Sequence, residues 1–184
     1  MAMAMQQRRR VRPPLNAAKL DEMALNYVGR FATSRSKLLS YLRRKLRERG
    51  WDGAGEPPLE QLADRLVRLG YIDDRAYALS KARSLTGRGY GERRVRQALA
   101  FAGIDEALGA DARDLAEEEA VAAAIRFAQR RSLGPYAEHQ LDPLKRERGL
   151  AAMVRAGHRF ALARAIVDLD PGDNPDLEQL SNLR

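Results

Sequence analysis

Few residues of this chain are of types that do covalent chemistry. It has no cysteine, which excludes disulfides, thiolate nucleophiles and cysteine-ligated zinc or iron–sulfur centres. Its two histidines, His139 and His158, stand 19 residues apart. Neither has a carboxylate at ligand spacing on its own helical face, so both read as ordinary surface or boundary histidines. Asp73 and Asp74 are adjacent, but they follow Gly70, Tyr71 and Ile72 and read as a helix N-cap and a first-turn partner of the helix dipole. Gly87-Arg88-Gly89-Tyr90-Gly91 is glycine-rich, yet no strand precedes it, as a phosphate-cradling loop requires; it reads as a flexible loop between helices. There is no GxxxxGKS or GxxxxGKT, no HExxH and no nucleophile elbow. The chain therefore does not read as an enzyme, and no metal, cofactor or catalytic residue is expected.

What remains is positive charge. The 184 residues carry 33 Lys and Arg against 25 Asp and Glu, a net +8, with a pI near 10.2. The excess sits at the front: residues 1–104 hold 22 basic and 10 acidic side chains, residues 105–184 hold 11 and 15. A basic chain of this size points to an anionic partner, nucleic acid first and an acidic protein surface second. On a helical wheel centred on Leu42, Lys37, Arg43, Arg44 and Arg47 fall on the far side or its flank. On one centred on Val95, Arg93 points outward with Arg94 and Arg96 at the flanks. These seven are the candidate partner or DNA contacts. The tyrosines and Trp51 are scattered and form no platform for stacking single-stranded bases.

The elements that must carry these cations are helices. Ala and Leu dominate an apolar content of 45%, aromatics are only 6%, and no stretch alternates with period two. Nine helices are expected. The first carries Leu20, Met23, Ala24, Tyr27, Val28 and Phe31 at helical spacing. Ser34 caps a second that stops at Gly50, and Pro57 and Pro58 open a third, with Leu59, Leu62, Ala63, Leu66 and Val67, that stops at Gly70. Asp73 caps a fourth, a fifth spans 92–102, Asp105 caps a short sixth, and a seventh spans 115–131. Asp142 and Pro143 start an eighth that ends near Gly157, and a ninth carries Phe160, Ala163, Ile166 and Val167. No run approaches the roughly 18 apolar residues of a membrane span, and the N-terminus lacks a secretory apolar region. Arg8, Arg9, Arg10 and Arg12 form a basic arm, read as disordered, and residues beyond Asp170 read as a frayed acidic tail.

The stops repeat. Helices two, five and eight end at Gly50, Gly103 and Gly157, at intervals of 53 and 54 residues. Four residues before each glycine stand Leu46, Leu99 and Met153; within three after it stand Trp51, Ile104 and Phe160. In this register Arg43 coincides with Arg96, while Gly149 falls where helix five has Val95. The spacing predicts three tandem three-helix units. The expected organisation is a basic arm over 1–14, units over 15–72, 73–114 and 115–169, and an acidic tail over 170–184.

Gly70-Tyr71-Ile72-Asp73-Asp74, then Ala76-Tyr77-Ala78, Arg83, Gly89-Tyr90-Gly91, Arg93-Arg94-Val95, Leu99 and Gly103-Ile104-Asp105 resemble the central signature of the RecX regulatory proteins. The resemblance extends over about residues 18–168 and is most specific over 70–105; the 52–58 segment is longer and richer in Gly and Pro than the family's turn. It implies an all-α, elongated and curved array of three tandem three-helix repeats. It further implies a bacterial cytoplasmic protein, here expected to be a monomer, without catalytic activity. Such a protein binds the RecA recombinase filament and inhibits its ATP hydrolysis, strand exchange and co-protease action, tempering recombination and the SOS response. The resemblance also implies weak nonspecific binding to single- or double-stranded DNA. The competing expectation is a stand-alone DNA-binding regulator whose three-helix units act like helix-turn-helix modules, with helix five as the reader.

Overall fold

In the computed structural model, which describes residues 13–183, the chain divides into two compact units, Met1–Ile72 and Asp73–Arg184. The described residues form ten α-helices and one turn of 3-10 helix, with no strand beyond a single isolated bridge.

The first unit is one helix triplet: α1 (Ala17–Val28), α2 (Arg35–Arg49) and α3 (Leu59–Arg68). Asn16 and Ser34 cap α1 and α2 by accepting from the backbone N–H groups of Lys19 and Lys37 at 3.0 and 3.3 Å. Leu20 and Ala24 from α1, Leu38, Leu39 and Leu42 from α2, and Leu62, Ala63 and Leu66 from α3 meet in one core, closed by Leu15 and Ile72. Each buried leucine contributes about 1.5–3 kcal/mol, which short helices need because they do not persist alone in water. Two expected core residues lie outside it: Phe31 falls beyond the end of α1 and Val67 faces solvent. Ion pairs lace the triplet from outside. Arg35 reaches Glu60 and Asp64 at 2.8 and 2.7 Å, Arg43 reaches Glu60 at 2.6 Å, and Arg65 reaches Asp21 at 2.9 Å.

Gly50 ends α2 differently from the other helix-terminal glycines. Its φ of 81° and ψ of 174° throw the chain into extended form. Its carbonyl then accepts from Leu15 N–H at 3.0 Å while Asp52 N–H donates back to Leu15 at 2.8 Å. Arg49 also donates twice to the Pro13 carbonyl, so docking begins at a residue the sequence assigns to the arm. The arginines of that arm lie outside the described residues.

The second unit holds two triplets. The first is α4 (Asp74–Gly87), α5 (Glu92–Phe101) and α6 (Ala110–Glu118); the second is α7 (Ala120–Arg131), α8 (Pro143–Arg155) and α9 (Phe160–Val167), followed by a five-residue α10 (Leu177–Ser181). Ala78, Ala82, Leu85, Val95, Leu99, Ala112 and Ala116 make one core; Val121, Phe127, Met153, Leu162 and Ile166 anchor the next. Asp73 and Asp142 cap α4 and α8 as expected. Asp105 does not start a helix. It accepts from Leu108 N–H at 2.8 Å, the turn ends at Gly109, and α6 begins at Ala110. The expected helix over 115–131 is broken at Glu119, so residues 115–118 belong to the core of the earlier triplet. The acidic tail is not frayed through its described length: α10 forms within it and Leu180 is buried against α7.

The repeat register needs one correction. Gly103 and Gly157, both at positive φ, close α5 and α8 by the same pair of bonds. Gly103 and Ile104 donate to Ala100 and Leu99, and Gly157 and His158 donate to Val154 and Met153. The counterpart of buried Ile104 is therefore His158, 2% exposed, and not Phe160, which is solvent-facing. Gly149 is buried against the Leu133 side chain, which fills the space that a valine would occupy in the α5 register.

Candidate functional site

Within the second unit, the start of α5 meets the end of α8. A helix N-terminus leaves unpaired N–H groups and a C-terminus leaves unpaired carbonyls, and here each satisfies the other. Gly91 N–H donates to Ala156 O at 3.0 Å and Arg93 N–H donates to Gly157 O at 3.2 Å. The opposed ends of the two helix dipoles face one another, an attractive arrangement. The approach needs glycine on both sides: a Cβ on Gly91 would overlap the Gly157 carbonyl, and one on Gly157 would lie 2.5 Å from Arg94 N. Of the segment expected to be a flexible loop, 87–91, Gly87 ends α4 and is exposed with Arg88, while Gly89 and Gly91 are buried in this packed seam. A Cβ on Gly89 would also stand 2.9 Å from Phe127 N.

Beside the seam, Glu92 is buried and paired. Its carboxylate accepts from Arg96, one turn along α5, and from Arg159 at the start of α9, 3.1 Å away. Arg126 ties α7 to α4 by donating to Thr86 O at 3.2 Å and pairing with Glu119 at 2.6 Å. His158, expected at the surface or at a boundary, is enclosed here; His139 is exposed. Burial pushes the His158 pKa down to about 4, with its hydrogen bond to Gly89 opposing the shift.

The seven candidate cations divide between the units. On α2, Arg43, Arg44 and Arg47 are exposed and Lys37 is half-buried. Arg43 is engaged by Glu60, and Arg44 lies 3.7 Å from Glu48 and 5.7 Å above the Tyr41 ring. Arg47 forms no ion pair among the described residues. In the second unit Arg93, Arg94 and Arg96 are exposed on α5. Arg96 is spent on Glu92 and Arg94 donates to Gln97 at 2.8 Å. The basic faces are therefore less available than a helical wheel indicates, because neighbouring carboxylates neutralise part of each.

The structure brings Arg94 together with three arginines that the wheels did not single out. Arg94 of α5, Arg130 and Arg131 of α7, and Arg155 of α8 line an open groove of about 630 Å³ with Tyr90, Phe127, Ala152 and Ala156. All four arginines are exposed and none forms an ion pair among the described residues. No carboxylate lines the groove among the described residues. Arg131 lies 5.7 Å over the Phe127 ring, and Arg88 lies 5.3 Å over Tyr90 from outside. The Arg130-Arg131 doublet closing a helix was a readable signal. Its convergence with Arg94 and Arg155 was not, because it depends on the glycine seam that sets α5 against α8.

Fold and site together define a basic, all-helical repeat protein assembled from three-helix units. Residues 73–112 match the family model described as RecX, second three-helix domain. The chain is 32% identical over 160 residues to the regulatory protein RecX of Myxococcus xanthus, covering 83% of this chain and 86% of that protein. It is 26% identical over 145 residues to the regulatory protein RecX of Agrobacterium fabrum, covering 77% of each. The crystal structure of RecX from Lactobacillus salivarius superposes with a TM-score of 0.58 at 22% identity, over 82% of this chain and 94% of that one. The chain belongs to the RecX family. Among the described residues, no helix is long and apolar enough to cross a membrane.

Proposed function

We propose that this chain is a non-catalytic regulator of the RecA recombinase. It binds the RecA nucleoprotein filament and lowers its ATP hydrolysis, strand exchange and co-protease activity, and so modulates recombinational DNA repair and the SOS response in the cytoplasm. The observation that carries this reading is the match, over about four fifths of the chain, to regulatory proteins of the RecX family.

The architecture supports it physically. Three triplets with separate cores offer several modest contact faces on one chain, whose contributions add through avidity when a polymer presents its sites in series. Cations of α2 and of the arginine groove supply attraction to phosphates or acidic filament surface. The chain acts as a monomer that occupies several filament subunits and hinders the rearrangements of ATP turnover.

The competing reading, a stand-alone helix-turn-helix regulator, requires the first residues of α5 to enter a major groove. Those residues are bonded to the end of α8: Gly91 and Arg93 give their N–H groups to Ala156 and Gly157. A reader helix with its N-terminus engaged in this way is poorly placed to reach base edges.

The test is ATP hydrolysis by the cognate RecA on single-stranded DNA, with this protein titrated in below one copy per RecA subunit. A fall in rate at such ratios is the expected result. No effect, with RecA active and this protein folded, discards the filament reading and leaves nucleic-acid binding alone. Site-selective duplex binding at physiological salt, in the nanomolar range of about 10 nM or tighter, is the signature of the competing reading.

A further inference from the structure

We propose that the groove between α5, α7 and α8 is a binding site for the phosphodiester backbone of nucleic acid, read by charge and not by base. This deepens the filament reading and rests on it only for the expectation that DNA lies beside the protein. The groove itself stands on independent observations.

Many basic side chains here face carboxylates of their own chain, among them Arg35, Arg43, Arg65, Arg96, Arg126 and Arg159, which pair with Asp or Glu. The groove departs from that pattern. Arg94, Arg130, Arg131 and Arg155 converge from three helices, with no acidic side chain among the lining residues. Uncompensated guanidinium groups held together repel one another, so the groove is a standing site for an anion. Their backbones do not drift apart to relieve that repulsion, because the Gly91–Gly157 seam fixes α5 to α8 beside them.

The lining also indicates which anion. Guanidinium forks match phosphate oxygens in bidentate fashion. The groove is open to solvent and not an enclosed cavity, which suits a passing strand better than a small molecule. It offers no amide or hydroxyl set to discriminate bases beyond the phenol of Tyr90. Its two rings are poor stacking platforms: Phe127 is buried with Arg131 over one face, and Arg88 lies over one face of Tyr90. Binding is therefore salt-sensitive and indifferent to base identity.

The probe is a fluorescein-labelled oligo-deoxythymidylate followed by anisotropy across a salt series, with the intact chain and two double variants, Arg130→Gln with Arg155→Gln and Arg94→Gln with Arg155→Gln. Both pairs are exposed, and circular dichroism checks their folding. The expected result is a loss of at least tenfold in affinity, with the slope of log K against log salt shallower by about 1.4, two single-strand phosphate contacts at about 0.7 each. Arg47→Gln on α2 loses far less. A strand with abasic positions binds as tightly as the parent, and polyglutamate does not compete. Unchanged affinity and slope in both double variants overturn the proposal. So does competition by polyglutamate as effective as by oligonucleotide, which assigns the groove to an acidic protein surface. RecA ATPase is measured on the same samples. Intact inhibition by the parent with unaltered DNA binding in the variants removes the groove and keeps the filament reading; lost DNA binding with no inhibition by the parent does the reverse.

Discussion

The imidazole Nε2 of His158 lies 3.1 Å from the carbonyl oxygen of Gly89, which joins the end of the third triplet's middle helix to the turn that closes α4. A carbonyl only accepts, so Nε2 carries the proton and neutral Nδ1 is a bare lone pair. Among the described residues Nδ1 is buried without a hydrogen-bond partner, and the ring sits edge-on to Phe127 at 5.6 Å between centroids. Protonation would place a cation in this apolar enclosure. Arg94, Arg130 and Arg131 stand in the groove that Phe127 also lines, and add no compensating negative charge.

The pH dependence follows. The folded pKa of about 4 lies below the ordinary value of 6.5, so the unfolded chain binds the proton more readily. The stability tied to His158 is complete above about pH 6.5 and is lost as pH falls toward about 4, at most about 3 kcal/mol in all. Urea unfolding midpoints across that window are expected to fall more steeply for the parent than for His158→Gln, which keeps a donor for Gly89 without titrating. Parallel curves for the two proteins defeat the argument.

Two glycines a few residues apart are expected to respond oppositely to alanine. Gly91→Ala drives a methyl group into the Gly157 carbonyl, backbone against backbone, where neither side yields easily. It should destabilise by about 3 kcal/mol. Gly87 ends α4 with open space at its Cβ position, so Gly87→Ala should stabilise slightly, by about 0.5 kcal/mol, through reduced freedom of the unfolded chain. Thermal melts of the two variants check the pair, and a similar Tm for both contradicts the seam.

Helix existence and repeat spacing were legible in the sequence because both depend on local patterns. Apolar residues at helical period, Ser34, Asp73 and Asp142 as caps, and glycine stops at near-equal intervals all report on neighbouring residues. The break at Glu119 was hidden because 110–131 is good helix-forming sequence throughout; tertiary packing of Ala112 and Ala116 onto α4 and α5 decides it. The burial of His158 and Glu92 was hidden for a related reason. Their partners, Gly89 and Arg159, are 69 and 67 residues away. Of the four groove arginines only Arg94 was visible as a candidate in the sequence. The rest waits on which cations are neutralised by carboxylates, and only the folded chain decides that.

Glu92 should prove a structural residue despite its ionic character. Its carboxylate is nearly enclosed, whereas its partners Arg96 and Arg159 keep much of their side chains in water. Glu92→Gln removes the buried charge and weakens two charge-assisted bonds while leaving both arginines solvated. The expected cost is about 1–2 kcal/mol, less than for a pair buried on both sides. A double-mutant cycle with Arg159→Gln should return a positive coupling of the same order. Strict additivity would remove the pairing as a source of stability.

The last described helix offers a local test of how the acidic end is held. Five residues cannot sustain a helix in water. Asp176 caps α10 by accepting from Glu178 and Gln179 N–H at 3.0 and 3.1 Å, but a cap alone does not dock it. Leu180 does, buried against the cluster of α7 and α9. Leu180→Ala is expected to cost about 2 kcal/mol, the low end for a buried leucine, because a site near the chain end can relax around the loss. The clearest readout is proteolysis under native conditions. In the parent the tail resists cleavage until the α7–α9 triplet opens. In the variant, cleavage within 170–183 should run ahead of global unfolding. Equal cleavage rates in both proteins would mean that the tail opens freely and that Leu180 does not anchor it.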